Sequence, residues 1–246
     1  MCWKMQSLSE KTRGIFDKHK KCGNAVREAF SFLKEMIEPY NEKPDMTYRY
    51  EHILRVAARG RQIADGEGWD REPLAIACLL HDIGYPECKT QEDFDHHQDI
   101  SAEIAKIFLK NIDYGEEAAQ SICRAIAFHA RTSVIPDDVT AFELSVRDAD
   151  DLDGDDVMRT YIKGGLIIGI SGSWMFGEHN AAQVVHGCTN ELKKIENSRR
   201  HICATKTAQR LWEEQLLMRN AYFEALLKQM QATVDIEQDL MFEGGL

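Results

Sequence analysis

Apolar residues recur along this chain mostly at three- and four-residue spacing, the period of one helix face, and only five prolines interrupt the pattern. An all-α protein follows. The first strong helix is expected over residues 24–38, with Val26, Phe30, Leu33 and Ile37 on one face and Pro39 as its stop. A second covers 48–64, with His52, Val56 and Ile63 inward, and a third covers 72–83. The polar stretch 85–94 reads as a loop. Further helices are expected over 97–111, with Ile100, Ile104, Ile107 and Phe108 as the stripe, and over 116–130, carrying Ile122, Ile126 and His129. The next opens at Asp137 or Asp138 and sets Phe142, Ser145, Ala149 and Leu152 on one stripe. Two long helices, over 182–198 and 204–232, follow.

The pattern divides the chain into three expected parts. Residues 1–22 form a loosely attached N-terminal segment, 23–160 a helical core, and 161–246 a helical extension packed on that core. Near the second boundary Gly164, Gly165, Gly169, Gly172 and Gly177 crowd among Ile167, Ile168, Ile170, Trp174, Met175 and Phe176. That segment reads as a loosened helix pair, a lid or an interface.

Composition narrows the classes of function. A net charge of -11 over 246 residues disfavours a nucleic-acid polymer, though a local basic pocket for one phosphate ester remains allowed. Seven scattered cysteines, odd in number and without a CxxC pair, fit free thiols in a reducing cytoplasm. No apolar run approaches membrane-spanning length, and residues 1–13 lack the apolar core of a signal peptide. Phosphate-binding P-loop, dinucleotide GxGxxG, nucleophile-elbow and HExxH patterns are all missing. Trp212, Leu216, Met218, Tyr222, Leu226 and Met230 suit a core or a subunit interface, which leaves a homodimer open.

The chemistry concentrates at Cys78-Leu79-Leu80-His81-Asp82-Ile83-Gly84, where an apolar helical run ends in an adjacent imidazole and carboxylate. Two such groups at the inner end of a buried helix need a compensating partner or a cation. A lone histidine on a helix is most often a surface or core-edge residue. Here His52, His97, His129 and an acid within Asp148-Ala149-Asp150-Asp151-Leu152-Asp153 recur on separate helices, as in metal sites assembled within helical bundles. Residues two apart on a helix point about 200° from each other, so Asp148 and Asp150 cannot both face one site.

His52, then His81-Asp82 in LLHDIG, then Ala149-Asp150 near the end of a later helix, resembles the HD-domain superfamily of metal-dependent phosphohydrolases. The resemblance covers residues 48–161, with weaker similarity over the 207–231 helix. It implies His52, His81, Asp82 and Asp150 as ligands to one metal, Asp150 being selected over Asp148 by the family's Ala-Asp order. His97, in HQDISAEI, and His129, in AIAFH, resemble elements of the two-metal branches, with Asp82 bridging. Neighbouring His96 is the competing register for His97. On this resemblance Asp82, His81 and Asp150 are the catalytic centre, Asp148 and Asp153 lie behind or beside it, and the activity is hydrolysis of a phosphate mono- or diester, nucleotides foremost. One or two divalent ions are implied, from Mn, Fe, Co, Ni or Zn with Mg also allowed. Similar six-ligand proteins include dinuclear iron oxygenases, and a non-catalytic module binding a nucleotide or a partner is the third reading. The chain also departs from the pattern. Tyr85 stands where many relatives have Lys, and Asp151 where many have Arg or Lys. Replacement cations are sought among Arg55, Arg59, Lys89, Arg131, Arg147, Arg159 and Lys163.

Overall fold

The computed structural model describes residues 8–19, 24–38, 44–130, 136–156 and 181–243, and these contain helices and no strand. The helices are α1 (Glu10–Phe16), α2 (Ala25–Ile37), α3 (Pro44–Glu67), α4 (Arg71–Leu80), α5 (Gln91–Asp95), α6 (His97–Asn111), α7 (Glu116–Phe128), α8 (Ala141–Gly154), α9 (Ala181–Ser198) and α10 (Lys206–Glu243). A 3-10 turn, Tyr85–Glu87, lies between α4 and α5. The glycine-rich segment 164–177 and the candidate cations Arg131, Arg159 and Lys163 lie outside the described residues.

Two compact units emerge: residues 1–153 with 203–208, and residues 154–202 with 209–246. In the first, α4 lies at the centre, against α2, α3 and α7, while α6 packs on α7. Its Leu74–Leu80 run is wholly buried, each full-sized aliphatic side chain contributing about 1.5–3 kcal/mol. Gly68, at φ 71°, ends α3 in the left-handed conformation and lets the Trp69 amide reach back to Ala64. In the second unit, the Trp212 indole N–H donates to the Ser198 carbonyl at 3.0 Å, and buried Arg219 pairs with Asp155 at 2.9 Å.

Several boundaries and faces differ from the sequence reading. On α2 the inward residues are Ala29, Phe32, Leu33, Met36 and Ile37, and Phe30 is exposed. Leu33 and Ile37 are inward as expected, but Phe32 takes the place of Phe30 because it packs on Phe16 and stacks on Phe108. The stretch read as a loop holds α5, started by a capping box between Thr90 and Asp93. α8 begins at Ala141 because Thr140 and Glu143 cap each other reciprocally. α10 continues to Glu243 rather than ending near 232. Within residues 8–19, Leu8, Ile15 and Phe16 are buried.

Candidate metal centre

His52 lies mid-helix on the inner side of α3, while His81 and His129 each cap the C-terminal end of a helix, α4 and α7. His97 opens α6, and Asp150 stands near the end of α8. These five elements bring all six residues named from the sequence to one place. His52 Nε2 is 3.4 Å from His81 Nε2 and 3.2 Å from Asp150 Oδ1. Asp82 Oδ2 is 3.6 Å from His52 Nε2 and 3.5 Å from His81 Nε2. The other oxygen, Oδ1, is 3.4 Å from His97 Nε2 and 3.4 Å from His129 Nε2, and those two nitrogens are 3.2 Å apart. His96 points elsewhere, toward Asp99 at 3.7 Å.

The opposite ring nitrogens are all committed. His81 Nδ1 faces the Cys78 carbonyl at 2.8 Å, His97 Nδ1 that of Phe94 at 2.8 Å, and His129 Nδ1 that of Ile126 at 2.7 Å. A carbonyl only accepts, so these Nδ1 atoms carry the proton and each neutral ring turns an Nε2 lone pair inward. His52 is oriented likewise by Asp153 Oδ2 at 2.7 Å. Arg55 holds that carboxylate in turn, its Nε 2.5 Å from Asp153 Oδ1.

This is a cluster of lone pairs and carboxylates turned on one another. Asp82 is 2% exposed, and its Oδ1 accepts no hydrogen bond from the described residues. A buried carboxylate with an uncompensated oxygen costs several kcal/mol. Imidazole nitrogens and carboxylate oxygens in this arrangement fit a divalent transition metal, and two groups, His52–His81–Asp150 and His81–Asp82–His129, bring their donor atoms close enough to share one ion. Electrostatics divides the four rings, and on His129 burial is overcome by the Asp82 carboxylate, which raises the ring above the usual imidazole value. Burial presses His81 down to about 4 and His97 below the usual imidazole value, so both keep their lone pairs at neutral pH. Burial opposes charge on His52 as well, but Asp150, Asp153 and Asp82 outweigh it and push the ring up to about 11. Burial likewise disfavours the Asp82 anion, yet the surrounding histidines and Arg49 hold it well below the usual carboxylate range.

Asp148 turns away. Its Oδ2 accepts the Ala204 amide at 2.7 Å, and burial raises it to about 6. Sequence reasoning missed Arg49. Its Nη1 lies 2.5 Å from Asp82 Oδ2, and its guanidinium sits 3.6 Å over the Tyr85 ring. That ring is in turn 4.5 Å from the His97 ring. The available signal was the spacing Arg49 to His52, one helical turn on the same face. Of the cations that were named, Arg55 binds Asp153 and Arg59 reaches Gln62.

The sequence profile of the HD domain matches residues 49–155, a span that includes every residue of this cluster. The chain carries an HD domain. HD domains bind divalent metals, the match supports a metal-dependent hydrolase in general, and the cluster groups His and Asp donors that could hold such an ion. No curated protein matches the chain. Among solved structures, a predicted HD superfamily hydrolase from an uncultured Thermotogales bacterium is similar at 18% identity, covering 90% of this chain and 94% of that one, with a TM-score of 0.49.

Proposed function

We propose that this HD-domain protein hydrolyses a phosphate mono- or diester, with nucleotides as the first class to test. The observation that carries the reading is the division of Asp82, whose Oδ2 faces His52 and His81 while its Oδ1 faces His97 and His129. In this reading His52, His81, Asp82 and Asp150 hold one cation, and His97, His129 and Asp82 hold a second. A bound divalent cation supplies Lewis acidity toward a phosphoryl oxygen and a lowered pKa for water.

The chain's own residues do the rest. Arg49 offers a permanent positive charge beside Asp82 with its side chain 24% exposed, so it can meet phosphoryl oxygens from the solvent side. Tyr85 keeps the guanidinium flat, which makes Arg49 the replacement for the lysine absent at position 85. Asp153 retains the Nδ1 proton of His52 and so keeps Nε2 turned inward. Among the six, Asp150 is the most exposed at the side chain, at 30%.

Elemental analysis of purified protein, combined with a screen of nucleotides and aryl phosphates, tests this reading. Bound transition metal with phosphate release that disappears in Asp82→Ala supports it. Hydrolysis at the wild-type level in Asp82→Ala contradicts it, as does full metal occupancy without hydrolysis across the panel. Bound iron with oxygen uptake and no phosphate release moves the protein to the oxygenase class.

A further inference from the structure

At its start the segment 8–19 makes a polar attachment that hydrophobic packing does not account for. The Glu87 carboxylate is 1% exposed and closes the 3-10 turn that begins with Tyr85. Its Oε2 accepts the Ser9 amide at 2.9 Å, and its Oε1 accepts the Ser9 hydroxyl at 2.6 Å together with the Thr12 hydroxyl. Ser9 also caps α1, accepting the Thr12 amide at 3.2 Å. The far end of the segment is fixed independently, by His19 Nδ1 at 2.9 Å from Glu28 and by its ring edge against Phe32.

A three-residue 3-10 turn has little stability of its own. Inside this one, the Tyr85 amide reaches Asp82 and the Glu87 amide reaches Gly84. At its entry the Gly84 amide donates to Ser101 Oγ, so close that a Cβ there would meet the Ser101 amide at 2.8 Å. The exit is fixed by Glu87. Between these two anchors projects the Tyr85 ring, wedged between Arg49 and His97.

We propose that Glu87 is a positioning residue: by latching Ser9 and Thr12 of the N-terminal segment it sets the Tyr85 ring that aims Arg49 at the phosphoryl group. The inference rests on the phosphohydrolase reading for the role of Arg49, and on geometry alone for the latch. The N-terminal segment thereby becomes part of the substrate-binding apparatus without touching the metal ligands. Losing the latch weakens phosphate binding and leaves the metal centre intact.

The test compares full-length wild type, Glu87→Ala, Glu87→Gln and the double variant Ser9→Ala/Thr12→Val in the metal-loaded form. Glutamine keeps the shape, and its amide can donate to hydroxyls that turn to accept, so it serves as the rescue. Expected for Glu87→Ala is a rise of about tenfold in KM for an aryl phosphate and in the Kd of inorganic phosphate, the scale of one cation–π contact. Expected alongside are a kcat within about twofold of wild type and unchanged metal content, with Glu87→Gln close to wild type. Amide hydrogen exchange across residues 83–90 should quicken in Glu87→Ala and in the double variant, which covers the case where the alanine variant fails to fold. Unchanged exchange in both overturns the latch. Quickened exchange with an unchanged phosphate Kd, or a loss confined to kcat, overturns its role in positioning. A wild-type protein that hydrolyses nothing is a failure of the phosphohydrolase reading instead, and the exchange rates and phosphate Kd still decide the latch.

Discussion

His129 Nε2 lies 3.4 Å from Asp82 Oδ1, while its other ring nitrogen is tied to the Ile126 carbonyl at 2.7 Å. A ring fixed in this way meets the carboxylate through Nε2 alone, so the pair is held by a proton, which Asp82 favours by raising the ring, or by a metal ion. The two-cation reading places a metal ion there. Replacing His97 and His129 by alanine should therefore reduce bound metal while the His52–His81–Asp150 group keeps its share. Metal analysis of the dialysed double variant checks this, and an unchanged content would show that these two rings hold none.

Arg49 is expected to act on binding more than on turnover. Arg49→Ala should raise KM for a phosphate ester by about ten- to a hundredfold, the range of a charge-assisted contact, with metal content retained. Arg49→Lys should recover little, since an ammonium cannot lie flat on Tyr85. Steady-state kinetics on both variants decides it. Full recovery by lysine would mean that only charge matters.

Asp153 is expected to act through His52. Loss of its carboxylate frees the ring to turn and leaves Arg55 without its partner. Asp153→Ala should weaken metal affinity by about 10–100-fold, as is usual for groups that orient a ligand. Titration against a competing chelator measures it.

Asp148 and Asp150 stand two apart on α8 and should separate cleanly by pH. Asp148 is raised to about 6 by burial, so the folded state favours its protonated form. Its contribution to stability is complete below the unfolded value near 3.9 and is lost as pH rises through about 6. Asp148→Asn keeps an acceptor for the Ala204 amide and removes the buried charge. It should stabilise the protein above pH 7 by up to about 3 kcal/mol and change little at pH 4, with activity retained. Denaturant melts at the two pH values check this. Asp150→Asn should instead lose activity.

Much of the candidate cluster was legible because its residues announce themselves locally. His81-Asp82 follows a seven-residue apolar run, and His52, His97, His129 and Asp150 lie on helices whose periodicity is plain. The role of Arg49 was not legible. An arginine on a helix surface looks solvated until the fold shows that Tyr85, which removes one cation, provides a platform for another. On α2, Leu33 and Ile37 were legible, but Phe30 and Phe32 are equally apolar and only the contacts with Phe16 and Phe108 select Phe32. The Thr90–Asp93 capping box was visible in the sequence, but the helix it starts is five residues long, too short for periodicity to register. The Glu87 latch joins positions 75 and 78 residues apart, beyond any local pattern.

The central claim is that Asp82 is shared between two cation sites. Metal content per chain, measured on wild type and Asp82→Ala after identical loading and dialysis, tests it most directly. The account predicts about two ions per chain in wild type and almost none in the variant, because each group of imidazoles loses its common carboxylate. An Asp82→Ala protein that keeps the wild-type metal content would contradict it.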